Sequence, residues 1–306
     1  MRRSYDSDKN RFHRFIAIVG CPNVGKSSIL NRLLGQKVAV VSPKPQTTRT
    51  KIMGVLTEDE VQLVFTDTPG FHRPRTKLGE KMIKAVSDSI SGVDACLFVV
   101  EPSGELRDAE KDLLKKFKDE KMPVILAINK IDSVKQKELL IERMAQFSAL
   151  YDFEAIVPCS ALKGDGFGNL KDELFKQAQP SPHFFPDDTL TDQPERVLAA
   201  EIIREKLLNL LDDEVPHGVA VCIERMHERE DSNITDIDAT IYCERESHKG
   251  IIIGKKGEML KKVSTKARED MERFFMCKIN LHCWVKVKEG WRNREGLIHN
   301  FGLDNE

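Results

Sequence analysis

The chain has 306 residues, a length that favours two domains each able to bury a core, and its 40% hydrophobic and 32% charged residues exclude collagen-like, low-complexity and disulfide-scaffold proteins. No run approaches the 18 apolar residues of a spanning helix, and the seven cysteines form no CxxC pair, so they read as small buried side chains in a reducing compartment. The formal net charge of -1 hides an asymmetry: His248 to Arg294 holds 13 Lys and Arg against 5 Asp and Glu, the balance of a region that binds nucleic acid or another anion.

The basic start Met1-Arg2-Arg3 leads only to the short apolar run Phe15 to Val19, with no cleavage site, so a signal peptide is not expected and a cytoplasmic protein is. That run is a strand. It passes directly into Gly20-Cys21-Pro22-Asn23-Val24-Gly25-Lys26-Ser27, a GxxxxGKS pattern, followed by Ser28 and by Ile29, Leu30, Leu33 and Leu34 at helical spacing. Strand, glycine loop and helix are the context of a phosphate-binding loop. Its backbone N–H groups and the positive end of the helix converge on one centre, Lys26 reaches the β- and γ-phosphates, and the Ser27 hydroxyl sits on Mg²⁺.

Ser42 to Arg49 contains two prolines and reads as a loop; a threonine there, Thr47 or Thr48, is placed to complete Mg²⁺ coordination. Ile52 to Leu56 and Val61 to Phe65 form an antiparallel hairpin ending in Asp67-Thr68-Pro69-Gly70. Asp67 at a strand tip suits Mg²⁺, and the Gly70 N–H suits a γ-phosphate. A helix around Leu78, Met82, Ala85 and Val86, a strand from Ala95 to Val100, a helix near Arg107 to Lys121 and a strand from Val124 to Ile128 lead to Asn129-Lys130-Ile131-Asp132. One carboxylate accepts from guanine N1–H and N2 together, and an asparagine meets its N7 and O6 edge. Adenine would leave a buried Asp132 unpaired, so guanine is selected. A helix from 135 to 150 and the strand Ala155 to Cys159 end at Ser160-Ala161-Leu162, whose backbone N–H groups suit guanine O6. Every motif falls at a strand's carboxyl end, where open α/β sheets bind ligands.

Prolines 180, 182 and 186 mark a semi-rigid linker, with Phe184 and Phe185 pinning it to a domain. A helix starts near Pro194 and Glu195, and two strands follow, Val219 to Met226 and Ile237 to Cys243. Next comes Ile251-Ile252-Ile253-Gly254-Lys255-Lys256-Gly257, then a helix with Met259, Leu260, Val263, Ala267, Met271 and Phe274 on one face. The last strand alternates, with Ile279, Leu281, Cys283, Val285 and Val287 on one face and Lys278, Asn280, His282, Trp284, Lys286 and Lys288 on the other. This order resembles a type II KH domain. Gly-x-x-Gly is its nucleic-acid clamp, Lys255 and Lys256 supply charge, and isoleucines including Ile253 line a groove for unstacked bases. In the tail, Trp291 beside Arg294 either stacks on a base or anchors the chain against the domain.

The set GCPNVGKS, PQTTR, DTPG, NKID and SAL, with the second domain, resembles the Era family of translation-factor-class GTPases over nearly the whole chain. The resemblance implies a P-loop GTPase domain with a mostly parallel sheet over residues 1–178, a linker over 179–193 and a smaller α+β KH domain over 194–306. It implies slow GTP hydrolysis serving as a switch, GTP/GDP and Mg²⁺ as cofactors, and Thr48 ahead of Thr47 as the metal-linked threonine. Its partners would be the 3′ end of 16S rRNA and the small ribosomal subunit, in whose maturation it acts, and a monomer is expected. One departure from the Ras-type pattern bears on mechanism: Phe71, not glutamine, follows DTPG. Related GTPases with an apolar residue there hold K⁺ through a phosphate-loop asparagine, which Asn23 matches, so Asn23, Lys26, Thr48 and Gly70 form the expected catalytic set. The alternative reading is a GTPase with a protein or membrane-surface partner, peripheral to the inner membrane, whose KH-like domain is a scaffold. An ATP-dependent kinase or ATPase would require NKID to be incidental.

Overall fold

The computed structural model describes residues 11–44, 47–71, 74, 76–212, 215–230 and 232–303. Met1 to Arg3, and Pro45 and Gln46 of the loop before Thr47, lie outside the described residues. The chain divides into two compact units: one runs to Asp192, apart from Val40–Thr47 and Arg75–Lys81, which group with the other, Gln193–Glu306.

In the first unit, β1 (Phe12–Val19), β2 (Ile52–Glu58), β3 (Val61–Asp67), β4 (Ala95–Val100), β5 (Val124–Ile128) and β6 (Ala155–Pro158) lie in the order β2-β3-β1-β4-β5-β6. All pairs on this path are parallel except β2 with β3. Strands β4 and β5 are buried along their whole length, as central strands covered on both faces must be, which is why they read as unbroken apolar runs. The helices α1 (Lys26–Leu34), α2 (Lys77–Ser91), α3 (Asp108–Glu120), α4 (Lys137–Ser148) and α5 (Phe167–Lys176) join the strands. Phe98 of β4 meets Phe117 and Phe147 edge-on at 5.5 and 5.9 Å, fixing α3 and α4 against one face of the sheet.

The stretch expected as a linker is fastened to this unit. Gln179–Pro180 forms a short strand, β7, antiparallel to the start of β1. The fully buried Gln62 accepts from the N–H groups of Phe184 and Phe185 at 2.8 and 2.9 Å and donates to the Phe185 carbonyl at 3.0 Å. Phe184 packs edge-on against Phe15, and the Leu190 carbonyl accepts from the Val55 N–H at 2.9 Å. A glutamine inside a strand gives no outward sign that it will be buried to hold a distant segment.

In the second unit, α6 (Glu195–Leu210) precedes β8 (Ala220–Glu228) and β9 (Ile234–Cys243); then come α7 (Glu246–Ile253), α8 (Glu258–Phe275), β10 (Lys278–Val287) and α9 (Glu295–Asn300). The sheet order is β10-β9-β8, with β10 parallel and β8 antiparallel to β9. Ile237, Ala239 and Ile241 of β9 share a core with Ile203 and Leu207 of α6 and Val263, Ala267 and Met271 of α8. Helix α7 is absent from the sequence-based order: its three consecutive isoleucines carry no 3.6-residue period, and only Ile252 of them is fully buried.

Trp291 is an anchor. Its side chain is 0% exposed, Nε1 donates to the Gly218 carbonyl at 2.9 Å, and Phe301 packs edge-on at 5.4 Å. This corrects its placement among RNA-contacting residues: a fully covered indole offers no face to a base. Trp291→Ala should destabilise the second unit by about 3–5 kcal/mol in denaturant unfolding, against about 0.5 kcal/mol or less for an exposed stacking residue.

Candidate functional site

The phosphate loop leaves β1 at Gly20 and becomes helical at Lys26. Gly25 stands at φ 99°, and a Cβ there would lie 2.2 Å from Asn129 Nδ2, so only glycine lets the two segments meet. Asn23 is also left-handed, at φ 64°. The loop's carbonyls are paired outward: Gly20 O accepts from the Phe71 N–H at 3.1 Å, Val24 O from Asn129 Nδ2 at 2.8 Å, and Asn23 O from Lys130 Nζ. Lys26 is buried, and its ammonium donates to the carbonyls of Gly20 and Cys21 at 3.2 and 3.0 Å. Burial lowers its pKa, and the Asp67 carboxylate opposes that shift. Burial, with Glu110 adding to it, pushes the Cys21 thiol up.

Three hard oxygens meet below the loop. Ser27 Oγ donates to Asp67 Oδ2 at 2.6 Å and lies 2.9 Å from Thr48 Oγ1, which is itself 3.3 Å from Asp67 Oδ2. Asp67 is fully buried, and its Oδ1 has no hydrogen-bond partner. A buried carboxylate oxygen without a donor, beside two hydroxyls, fits a divalent cation such as Mg²⁺. Thr47 faces elsewhere: its hydroxyl donates to the Lys44 carbonyl at 2.6 Å, so Thr48 is the threonine that joins the cluster. Thr68 is buried with its hydroxyl on the Ile18 carbonyl at 2.8 Å, tying the DTPG turn to β1, and Gly70 packs against Pro22. Burial raises the Asp67 carboxyl to about 6, with Lys26, Ser27 and Thr48 pulling the other way.

Asn129-Lys130-Ile131-Asp132 and Ser160-Ala161-Leu162 close the same sheet edge. Asn129 Oδ1 accepts from the Ala161 N–H at 2.9 Å, which spends on the strand ends the amide expected to meet guanine O6. Ser160 Oγ donates to Asp132 Oδ1 at 2.5 Å and accepts from the Lys163 N–H at 3.0 Å. Asp132 is exposed here, not buried as the specificity argument supposes; a base must itself cover the carboxylate for the desolvation penalty to act. Leu162 is 75% exposed beside it. Sequence reasoning passed over Glu101, which follows β4 directly and accepts from Lys130 Nζ at 2.8 Å. A charge at the tip of an apolar strand, in the same position as Asp67 and Asn129, was the available signal.

In the second unit, Gly254 to Gly257 joins α7 to α8, with Lys255 and Lys256 exposed and Ile253 half-buried. Gly254 has φ 73° and lies so close to Met259 that a Cβ would stand 2.7 Å from that residue's Cβ. The loop therefore presents backbone and two ammonium groups at the start of an 18-residue helix. Arg294 is exposed, after the buried Trp291.

The sequence pattern of a family described as 50S ribosome-binding GTPase matches residues 15–130, and that of the KH domain matches residues 214–292. GTPase Era of Clostridioides difficile strain 630 is 49% identical over 292 residues, 95% of this chain and 98% of that protein. GTPase Era of Ruminiclostridium cellulolyticum is 50% identical, covering 94% of this chain and 96% of its own. Among solved structures, a variant of Aquifex aeolicus Era bound to GDP and AlF4⁻ aligns with a TM-score of 0.92 at 37% identity, over 96% of this chain and 99% of that one. Era in complex with MgGDPNP and nucleotides 1506–1542 of 16S ribosomal RNA aligns with a TM-score of 0.90 at 38% identity, with the same coverage.

A divalent cation held by this cluster would require Asp67 ionised, so the metal would compete with a proton below pH of about 6. The apparent Mg²⁺ affinity in the presence of nucleotide should be flat above that pH and fall by up to about tenfold per unit below it. For the metal-free chain the sign is opposite. A carboxyl raised from 3.8 to about 6 adds stability that is complete below 3.8 and lost as pH rises through 6. Titrating Mg²⁺ against a fluorescent nucleotide at pH 5 to 8, with Asp67→Asn as the variant that loses the pH dependence, measures this.

Proposed function

Because the chain belongs to the Era family of GTPases, we propose that it is a GTP-hydrolysing switch that binds the 3′ end of 16S rRNA through its KH module and acts in maturation of the small ribosomal subunit. It hydrolyses GTP to GDP and phosphate. The observation that carries the reading is the convergence of GxxxxGKS, Thr48, DTPG, NKID and SAL on one sheet edge, in a chain that also carries GKKG between two helices.

The phosphates lie against the amides of the loop and the N-terminus of α1, where partial positive charge is fixed in place before they arrive. Lys26 exchanges the carbonyls of Gly20 and Cys21 for phosphate oxygens, at little cost because its charge already sits in the loop. Ser27, Thr48 and Asp67 would hold Mg²⁺, which neutralises charge developing on the β- and γ-phosphate oxygens. The Gly70 N–H approaches the γ-phosphate from the DTPG side. Asp132 accepts from the guanine N1 and N2 hydrogens, and Asn129 holds the loop to the end of β6. Phe71 carries no group that orients water and packs against the apolar core beside α3 and α4. Hydrolysis accordingly relies on fixed charge, to which a K⁺ ion, which the Asn23 side chain would hold, would add positive charge.

In the second unit the GKKG backbone clamps the RNA strand while Lys255, Lys256 and the exposed Arg294 meet phosphates, with Ile253 beside the bases. The ribosomal target places this work in the cytoplasm. Among the described residues no helix is long and apolar enough to cross a membrane. The second reading, a peripheral contact with a protein or a membrane surface, draws on the basic region from His248 to Arg294.

Two outcomes are expected. The chain loaded with a non-hydrolysable GTP analogue binds a strand copying the 16S rRNA 3′ end over a scrambled strand near physiological salt. Lys255→Glu with Lys256→Glu abolishes that binding with the fold intact; equal binding to both strands that disappears with salt would favour the second reading. GTP hydrolysis should fall on replacing K⁺ by Na⁺ and on Asn23→Ala, by about 10- to 100-fold. An unchanged rate removes the cation from the mechanism.

A further inference from the structure

We propose that Glu101 and Arg107 are positioning residues of the nucleotide site, holding Lys130 of the guanine motif and Cys21 and Asn23 of the phosphate loop in one ion-pair network, so that base recognition and the monovalent-cation position are set together. The cation half rests on the reading of Asn23 given above.

Glu101 follows β4, which pairs with both β1 and β5, so its backbone is fixed between the strands that lead into the phosphate loop and into Asn129. One carboxylate oxygen accepts from Lys130 Nζ at 2.8 Å and the other from the Arg107 guanidinium. Lys130 spends a second N–H on the Asn23 carbonyl. The Arg107 guanidinium in turn lies close enough to the Cys21 thiol for its charge to oppose the upward shift that burial causes there. Asn23, one of the four residues between the first and second glycines of the phosphate loop, is thus held to the Glu101 carboxylate through Lys130, and Cys21 lies beside the guanidinium paired with the same carboxylate.

The geometry needs such support. Asn23 and Lys130 stand at φ 64° and 66°, left-handed conformations that are unfavourable for a non-glycine residue and persist where neighbours impose them. The Lys130 ammonium bonded to the Asn23 carbonyl joins these two left-handed residues directly, and Glu101 fixes the ammonium. Below them a buried pair braces the segment from 101 to 110. Arg143 and Glu110, 3% and 1% exposed, lie 3.4 Å apart. Arg143 donates to the carbonyls of Glu101 and Gly104 at 3.3 and 3.0 Å, and Glu110 accepts from the Arg107 N–H at 2.9 Å. Both ends of the segment are held, so the Glu101 carboxylate has little freedom. Burial opposes its ionisation, yet Lys130 and Arg107 keep its carboxyl below the usual range, so it is charged at neutral pH. With side chains 28% and 37% exposed, Glu101 and Lys130 gain little stability from their pairing; its effect is orientation.

If this is so, removing the carboxylate loosens both arms at once. Glu101→Ala should speed GDP release by about tenfold and raise the K⁺ concentration for half-maximal hydrolysis by about tenfold, with Glu101→Gln between it and the wild type and Arg107→Ala moving both in the same direction. Thermal melting midpoints, taken on each variant, should stay near the wild type, because a half-exposed pair is lost. A purely structural Glu101 would instead lower the melting midpoint and leave the K⁺ curve in place. Unchanged GDP release in Glu101→Ala overturns the proposal, and faster release with an unmoved K⁺ curve overturns the coupling. If K⁺ fails to activate the wild-type chain, and Asn23→Ala behaves like it, the cation reading falls by itself, and GDP release still decides whether Glu101 positions Lys130.

Discussion

A peptide loop that aims its amides inward must turn its carbonyls outward, and buried carbonyls need donors. That constraint governs the first unit. Gly20 O is shared by the Phe71 amide and the Lys26 ammonium, which also serves Cys21 O; Val24 O is taken by Asn129 and Asn23 O by Lys130. Apart from Lys26, the donors come from NKID and from the residue that follows DTPG, so these segments form one hydrogen-bond network seen at three places in the chain. The sheet makes the network possible by ending β1, β3, β5 and β6 at one edge; the parallel register that sets Ile18 opposite Asp67 and Ile128 opposite Pro158 brings their following residues together.

The charges obey the same economy. Lys26 and Asp67 are both buried, each shifted by desolvation toward its neutral form and each restrained by the other. Asp67 leaves one oxygen without a donor, whereas most buried carboxylates are fully paired. Such a residue is unfavourable for folding by itself and explicable as a ligand. At the other unit's GKKG loop the solution differs: the lysines are exposed, and it is the backbone that is constrained, through Gly254 against Met259.

What the sequence made legible was local and contiguous. GxxxxGKS, DTPG and NKID each put backbone geometry and side-chain chemistry into a few neighbouring residues, and the alternation from Ile279 to Val287 gave the last strand and its buried face. What it concealed was set by distant partners. Gln62 is an ordinary strand residue until Phe184 and Phe185 arrive 122 and 123 positions later to use its amide. Helix α7 is written in isoleucines that favour a strand, and tertiary packing of Ile252 overrides that preference. Trp291 was legible as important, but its two roles separate only once Gly218 is seen to hold its indole nitrogen. Glu101 needed Lys130 beside it before it meant anything.

The burial of the thiols bears on chemical durability. The thiolate is the form that reacts with peroxides and electrophiles, and its share at neutral pH falls tenfold for each unit by which the pKa rises. Cys21, inside the phosphate loop, is 2% exposed and shifted upward, and burial pushes Cys159, behind the base-reading loop, up to about 12. Both stand beside the candidate site, and burial disfavours the thiolate of each and bars approach to it. The cysteine beside the first glycine of the phosphate loop is thus one whose burial disfavours the reactive thiolate and shields the sulfur from collision with solutes.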